Sequence, residues 1–313
     1  MNPILRIAGG AALLGGSALA VHSRVARAER VHRPLGAFIT VDGVRLHYVE
    51  VGEGPPLVLL HGLGSMVEDF VLSGLVREAS QRFRVIAFDR PGYGHSERPR
   101  RLKYGALAQA ALIRQACRML DARRPIVLGH SWGALVAAAL ALGHPGALRS
   151  LVLVSGLYFP SPRLDMPFLV PPALPLVGDL MAHTLSPLIS RALWPVWLRM
   201  LFSPAPVPWL FEHFPTWLAL RPSQLRATAE DSANTLLALM RLMPRYRDLT
   251  LPVVLVAGEK DRYVHTRAHT ARLHALLPAS RLLVSPHSGH MVQHTDLPLV
   301  LNAIDSASWP MAV

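Results

Sequence analysis

The sequence predicts an α/β architecture: a mostly parallel central sheet with helices on both faces and an inserted helical cap. Three observations carry this expectation. Short apolar runs suited to strands buried on both faces recur at residues 57–60, 84–88, 126–128, 151–154 and 253–257. Helical stretches at residues 67–82, 106–120 and 134–142 separate the earlier runs, which is the alternation of parallel strands joined by crossovers. Between about residues 159 and 249 that rhythm stops, and prolines recur every few residues among Trp194, Trp197, Trp209 and Trp217. A structureless loop of that length does not suit a compact domain, so the segment reads as a helical insertion.

Taken in order, residues 1–34 form an apolar and basic targeting or anchoring segment. Residues 7–21 are uncharged and rich in Gly and Ala, and Arg24, Arg27, Arg30 and Arg33 follow them. The run is short for a membrane span and lies in the range of a signal-peptide apolar region. Because the arginines follow the run, the positive-inside rule favours a membrane tether with the rest of the chain on the cytoplasmic side. Export after signal cleavage near Ala20 is the alternative, and a greasy helix packed on the fold is the plain structural reading.

Residues 35–158 give the first part of the core. Residues 38–41 and 44–49 flank Asp42-Gly43, a two-residue hairpin signal. The apolar runs that follow end in His61-Gly62-Leu63-Gly64 and in Asp89-Arg90-Pro91-Gly92-Tyr93-Gly94-His95-Ser96. Residues 159–249 form the insertion, with a longer helix at 225–243. Residues 250–313 return to the core with a strand at 253–257, a helix at 267–277, a strand at 281–284 and a closing helix at 297–306.

With 313 residues, 51% hydrophobic and 17% charged, the chain can bury a sizeable core, and wholesale disorder is excluded. The net charge of +12 is almost entirely arginine. Those arginines are spread along the chain apart from the N-terminal cluster, and no nucleic-acid motif accompanies them. A solvated basic surface is the preferred reading, a membrane-facing patch the second, and nucleic acid is not expected as a partner. The single cysteine, Cys117, has no intrachain partner and lies in an apolar helical stretch, as a small buried hydrophobe would.

The chemistry centres on Gly129-His130-Ser131-Trp132-Gly133, where an apolar run stops and an alanine-rich helical segment begins. Such a strand–turn–helix junction strains the serine backbone and lifts its hydroxyl above the sheet edge. Gly129 and Gly133 leave room for the tight approach, and the helix start directs N–H groups toward negative charge near Ser131. Alone the pattern is weak. A serine hydroxyl needs an adjacent base, however, and Asp261 and His290 each follow an apolar run, as Ser131 does. Strand C-terminal ends are where open α/β sheets gather their sites, and the order Ser, Asp, His is the one such junctions use.

These motifs together resemble the α/β-hydrolase superfamily, in its serine-nucleophile branch with a helical cap. The likeness runs from about residue 37 to the end and weakens through the insertion. His61-Gly62-Leu63-Gly64 resembles the oxyanion loop, residues 89–96 the marked loop after the next strand, and residues 129–133 the nucleophile elbow. Gly258-Glu259-Lys260-Asp261 and Ser288-Gly289-His290 resemble the acid and histidine loops. The resemblance implies Ser131 as nucleophile, His290 as general base and later acid, and Asp261 as the group orienting His290. It further implies an oxyanion hole from the backbone N–H groups of Leu63 and Trp132, with no cofactor or metal. His61, Asp89 and Arg90 then fix loops beside the site.

Rival readings accompany these. Glu259 is the next carboxylate, Asp261 has a second use as a helix N-cap, and His287 and His294 read as surface polar groups. His287, His290 and His294 lack the carboxylate or cysteine that would complete a metal site. The cap tryptophans and methionines read mainly as packing, some of them lining a pocket. Epoxide hydrolases and haloalkane dehalogenases have a similar elbow with aspartate where this chain has Ser131. Carbon–carbon bond hydrolases share the serine but typically carry asparagine at the position of His130. The function implied is hydrolysis of a small apolar carboxylic ester through an acyl-enzyme. Carbon–carbon bond hydrolysis, acyl or peroxide transfer and a non-catalytic binding module are the alternatives.

Overall fold

The computed structural model describes residues 3–100, 103–162, 170–174 and 176–308. Parts of the N-terminal segment and of the insertion named above lie outside them. Eight strands form one sheet in the order β1-β2-β4-β3-β5-β6-β7-β8. They are β1 (Ala37–Val41), β2 (Val44–Val51), β3 (Pro56–Leu60), β4 (Arg84–Phe88), β5 (Ile126–His130), β6 (Ser150–Val154), β7 (Val253–Gly258) and β8 (Arg281–Ser285). Only β2 runs against its neighbours; β3 to β8 are parallel. The continuous apolar runs of β5, β6 and β7 are buried at every position, as strands covered on both faces must be. The outermost strands, β1 and β8, are partly exposed.

Helices cover the two faces. On one, α4 (Ala106–Met119) and α5 (Trp132–Gly143) pack Ile113, Ala116, Leu135 and Ala138 on Val58, Val127 and Leu153. Cys117 lies in that core, and burial pushes its thiol up to about 12. On the other, α2 (Val67–Leu72), α3 (Leu75–Ala79) and α9 (Leu297–Ser308) pack Phe70, Val76 and Ile304 on Leu59, Leu128 and Val254. The single helix expected at residues 67–82 is therefore two, because Gly74 adopts φ +81° and ends the first.

Between β6 and β7 the chain leaves the sheet for the insertion, with α6 (Val177–His183), α7 (Leu185–Phe202) and α8 (Pro222–Leu242). Its underside meets the core through Met66, Phe202, Phe211, Phe214, Leu218 and Met291.

The N-terminal α1 (Pro3–Val31) packs on α7 and on the short turn Thr216–Ala219. Val21 and Ala28 are buried there, Arg24 stacks on Trp217 at 5.2 Å, and Glu29 pairs with Arg221 at 3.5 Å. Among the described residues no helix is long and apolar enough to cross a membrane. The expected tether at residues 7–21 is thus unsupported as a span. Gly9, Gly10, Gly15 and Gly16 dilute the run, and Arg24 and Arg27 cut it short.

Candidate active site

Ser131 sits between β5 and α5 with φ +54° and ψ −118°, a conformation L-residues rarely adopt. The junction holds it there. The Ser131 N–H donates to the Val154 carbonyl at 2.9 Å, and the Ser131 carbonyl accepts from Ala134 N–H at 3.1 Å. A methyl group on Gly129 would lie 2.5 Å from the Gly133 carbonyl oxygen, and one on Gly133 would lie 2.1 Å from that of Leu60. No larger residue fits this approach of strand to helix.

Three side chains form a hydrogen-bonded series. His290 Nδ1 lies 2.8 Å from Asp261 Oδ2, and His290 Nε2 lies 2.9 Å from Ser131 Oγ. A carboxylate only accepts, so Nδ1 carries the proton and Nε2 is free to accept from the hydroxyl. All three residues are buried. The rival reading of Asp261 as a helix N-cap does not hold, since the next helix begins only at Arg267; its Oδ1 accepts instead from the N–H groups of Tyr263 and Val264 at 2.9 and 2.8 Å, so one carboxylate fixes its loop and holds the imidazole. Glu259 is exposed and pairs with Lys260, and His287 is exposed.

His294 is a correction. Its side chain is buried, and Nε2 lies 2.5 Å from Oδ1 of the buried Asp69. The residue lies on the turn that follows His290, and that turn points it inward. Asp69 also accepts from Gln293 and from Ser65. Burial works against this carboxylate, but His294 outweighs it and holds the group below the usual carboxylate range.

The loop carrying Leu63 is fastened from below. His61 Nδ1–H donates to the Gly62 carbonyl at 2.8 Å, and its Nε2 accepts from Arg90 N–H at 3.0 Å. Burial first, then Arg90, pushes His61 down to about 3, so the ring is neutral. The Arg90 guanidinium donates to the carbonyls of His61 and Gly62 at 2.8 and 2.9 Å and lies between the rings of Tyr93 and Trp132. Asp89 accepts from His47 Nδ1–H and from the N–H groups of Val67 and His95. The loop-fixing roles expected of these residues are what the geometry gives them.

Sequence reading missed Asp231. This buried carboxylate of α8 accepts from Arg90 at 2.8 Å, Arg98 at 3.0 Å, Tyr93 Oη–H at 3.0 Å and Gln109 at 2.9 Å. It joins the insertion to the loop beside the site. Its only sequence signal was an acid in a helix face otherwise made of buried small residues: Ala227, Thr228, Ser232 and Thr235.

Above Ser131 and His290 lies a cavity of about 170 Å³. Leu63, Trp194, Trp197, Leu198, Leu201, Phe211 and Phe214 make most of its wall. The insertion supplies all of these but Leu63, so some cap tryptophans do line the pocket, as expected.

Buried titrating groups set an expected pH dependence of stability. Burial first, then His290, lowers His130 to about 4, and His61 lies near 3. Both take up protons near the ordinary 6.5 once unfolded, so stability is full above that value and is lost as pH falls below it. Glu68 opposes them: burial first, then Asp89, raises it to about 8, so its folded form keeps a proton that the unfolded chain releases above 4.5. Two histidines against one carboxyl leave the unfolded chain with about one excess proton between the two reference values. Stability should then fall by on the order of 1 kcal/mol per pH unit on acidification. Thermal melts at pH 6.5 and 4.5 check this, and Glu68→Gln should steepen the fall; a flat melting temperature would refute it.

A buried serine at a strand–helix elbow over a mostly parallel sheet defines an alpha/beta hydrolase-fold protein. The model of that family, described as alpha/beta hydrolase fold, matches residues 55–297, and the chain belongs to it. The pimeloyl-acyl-carrier-protein methyl ester esterase of Aeromonas hydrophila is 32% identical, over 76% of this chain and 89% of that protein. Haloalkane dehalogenase 2 of Mycobacterium tuberculosis is 28% identical, over 80% and 86%. Among solved structures, a membrane phospholipase A shares the fold with a TM-score of 0.67 and 22% identity, covering 98% of this chain and 97% of that one.

Proposed function

We propose that the protein is a serine hydrolase that cleaves a small apolar carboxylic ester through an acyl-enzyme. Ser131 attacks the carbonyl while His290 takes its proton, and Asp261 steadies the imidazolium that forms. The N–H groups of Leu63 and Trp132 hold the oxyanion, each such donor being worth roughly 3–4 kcal/mol of transition-state stabilisation. Collapse of the tetrahedral species breaks the ester C–O bond, and His290 returns the proton to the departing alcohol. Water, deprotonated by the same imidazole, then releases the acid. Residues 159–249 act in this reading as a lid over the acyl group, on a core of residues 35–158 and 250–313.

The observation that carries the reading is the unbroken Asp261–His290–Ser131 series opening into an aromatic, aliphatic cavity. Displacement at a halogenated carbon through an alkyl-ester intermediate needs an attacking carboxylate, and Ser131 does not provide one. A fluorophosphonate probe should label the wild type at Ser131 and leave Ser131→Ala unlabelled. p-Nitrophenyl esters of graded chain length should then be turned over, with charged acyl groups refused. Absence of labelling would overturn the hydrolase reading. Cleavage of a dienol-type diketone in preference to the esters would replace the substrate class, and an added alcohol outcompeting water would make the enzyme a transferase.

A further inference from the structure

Helix α7 is apolar on two sides. Trp194, Trp197, Leu198 and Leu201 turn toward the cavity. On another side Leu185, Ile189, Leu193 and Val196 recur at three- and four-residue spacing and stand 37–54% exposed. A helix that is apolar nearly all round is normally enclosed, yet here one side stands half-exposed to solvent. Leu176 and Leu180, at α6, add to the bare surface at 84% and 54% exposed. These exposures hold with α1 already packed beside α7.

Arginines outnumber acids around this face, and the acids there, Glu29 of α1 and Asp179 of α6, are already paired with Arg221 and Arg100. α7 carries Arg191 and Arg199, both exposed, and has no acidic residue. Its neighbour α1 exposes Arg24, Arg27 and Arg30. A second copy docked here about a two-fold axis would bring like patches, and so guanidinium groups, together. Anionic lipid headgroups would pair with them instead.

We infer that this outer face of the insertion docks on an anionic lipid bilayer, lying in its surface and not spanning it. Leu185, Ile189, Leu193 and Val196 seat at the boundary of headgroups and acyl chains, roughly 5–10 Å deep as such helices do. Arg199, beside that stripe, and the exposed arginines of α1 meet the phosphates. Spanning is not required, in keeping with the absence among the described residues of a helix apolar enough to cross.

Sedimentation of the full chain with vesicles tests this. The wild type should pellet with phosphatidylcholine vesicles containing phosphatidylglycerol, and less with phosphatidylcholine alone or at high salt. The double variant Ile189→Glu, Val196→Glu should lower partitioning by about tenfold or more. Its thermal melt should match the wild type, because both side chains are exposed and neither lines the cavity. No binding by the wild type overturns the inference. Undiminished binding by the folded double variant also overturns it, placing the contact on α1. A wild-type dimer that the same variant dissociates in analytical ultracentrifugation gives the face to a second copy and overturns it as well.

Discussion

Ser131→Ala is expected to lose at least about 10⁴-fold in kcat on any ester the wild type turns over, with folding intact. The loss follows from the geometry. The imidazole reaches one hydroxyl, 2.9 Å from its Nε2, and removing that oxygen leaves the oxyanion donors with no covalent intermediate to stabilise. His290→Ala should fall as far, and the double variant hardly further, because nucleophile and base act as one unit. Stability should change little, since the substitution deletes one oxygen at a site where backbone bonds fix the turn. Retention of more than about a hundredth of the wild-type kcat would rule out Ser131 as the nucleophile.

Asp231→Ala is expected to show the largest stability effect among single substitutions considered. The change leaves the buried Arg90 guanidinium without a carboxylate and takes from Arg98 one of its two, Glu230 at 2.7 Å being the other. Breaking a buried ion pair from one side costs about 3–5 kcal/mol. For a chain of this size that is a drop of roughly 10 °C in melting temperature. Asp231→Asn, which keeps an acceptor oxygen and loses the charge, should fall between. Because Arg90 also donates to the carbonyls of His61 and Gly62, the loop carrying Leu63 should loosen too. kcat should therefore fall in the alanine variant even below its melting point. A melting temperature within about 2 °C of wild type would show the pair to be dispensable.

The sheet was legible because its signals are local. Each buried strand is a run of three to five mostly apolar residues, and the turn chemistry of Asp42-Gly43 and of residues 129–133 can be read without knowing what lies opposite. The three residues of the hydrogen-bonded series were legible for a related reason: each follows a strand end, and parallel strands bring those ends to one rim. What stayed hidden depends on pairing at a distance. Asp231 meets Arg90 across 141 positions and His294 meets Asp69 across 225, and no spacing rule joins such residues. A histidine among polar neighbours reads as surface until the turn that buries it is seen. The break at Gly74 within the helix expected at residues 67–82 went unseen for the opposite reason, since one glycine inside a helical pattern does not announce whether it bends the chain or rides along.

The positive φ at Ser131 carries a last consequence. The Ser131 N–H donating to the Val154 carbonyl and the Ser131 carbonyl accepting from Ala134 N–H hold that backbone posture, and no bond made by the serine side chain does. Any residue placed there inherits the same perch above the rim, beneath the insertion and with the imidazole already waiting. The side chain at this one position therefore sets which nucleophile the imidazole meets.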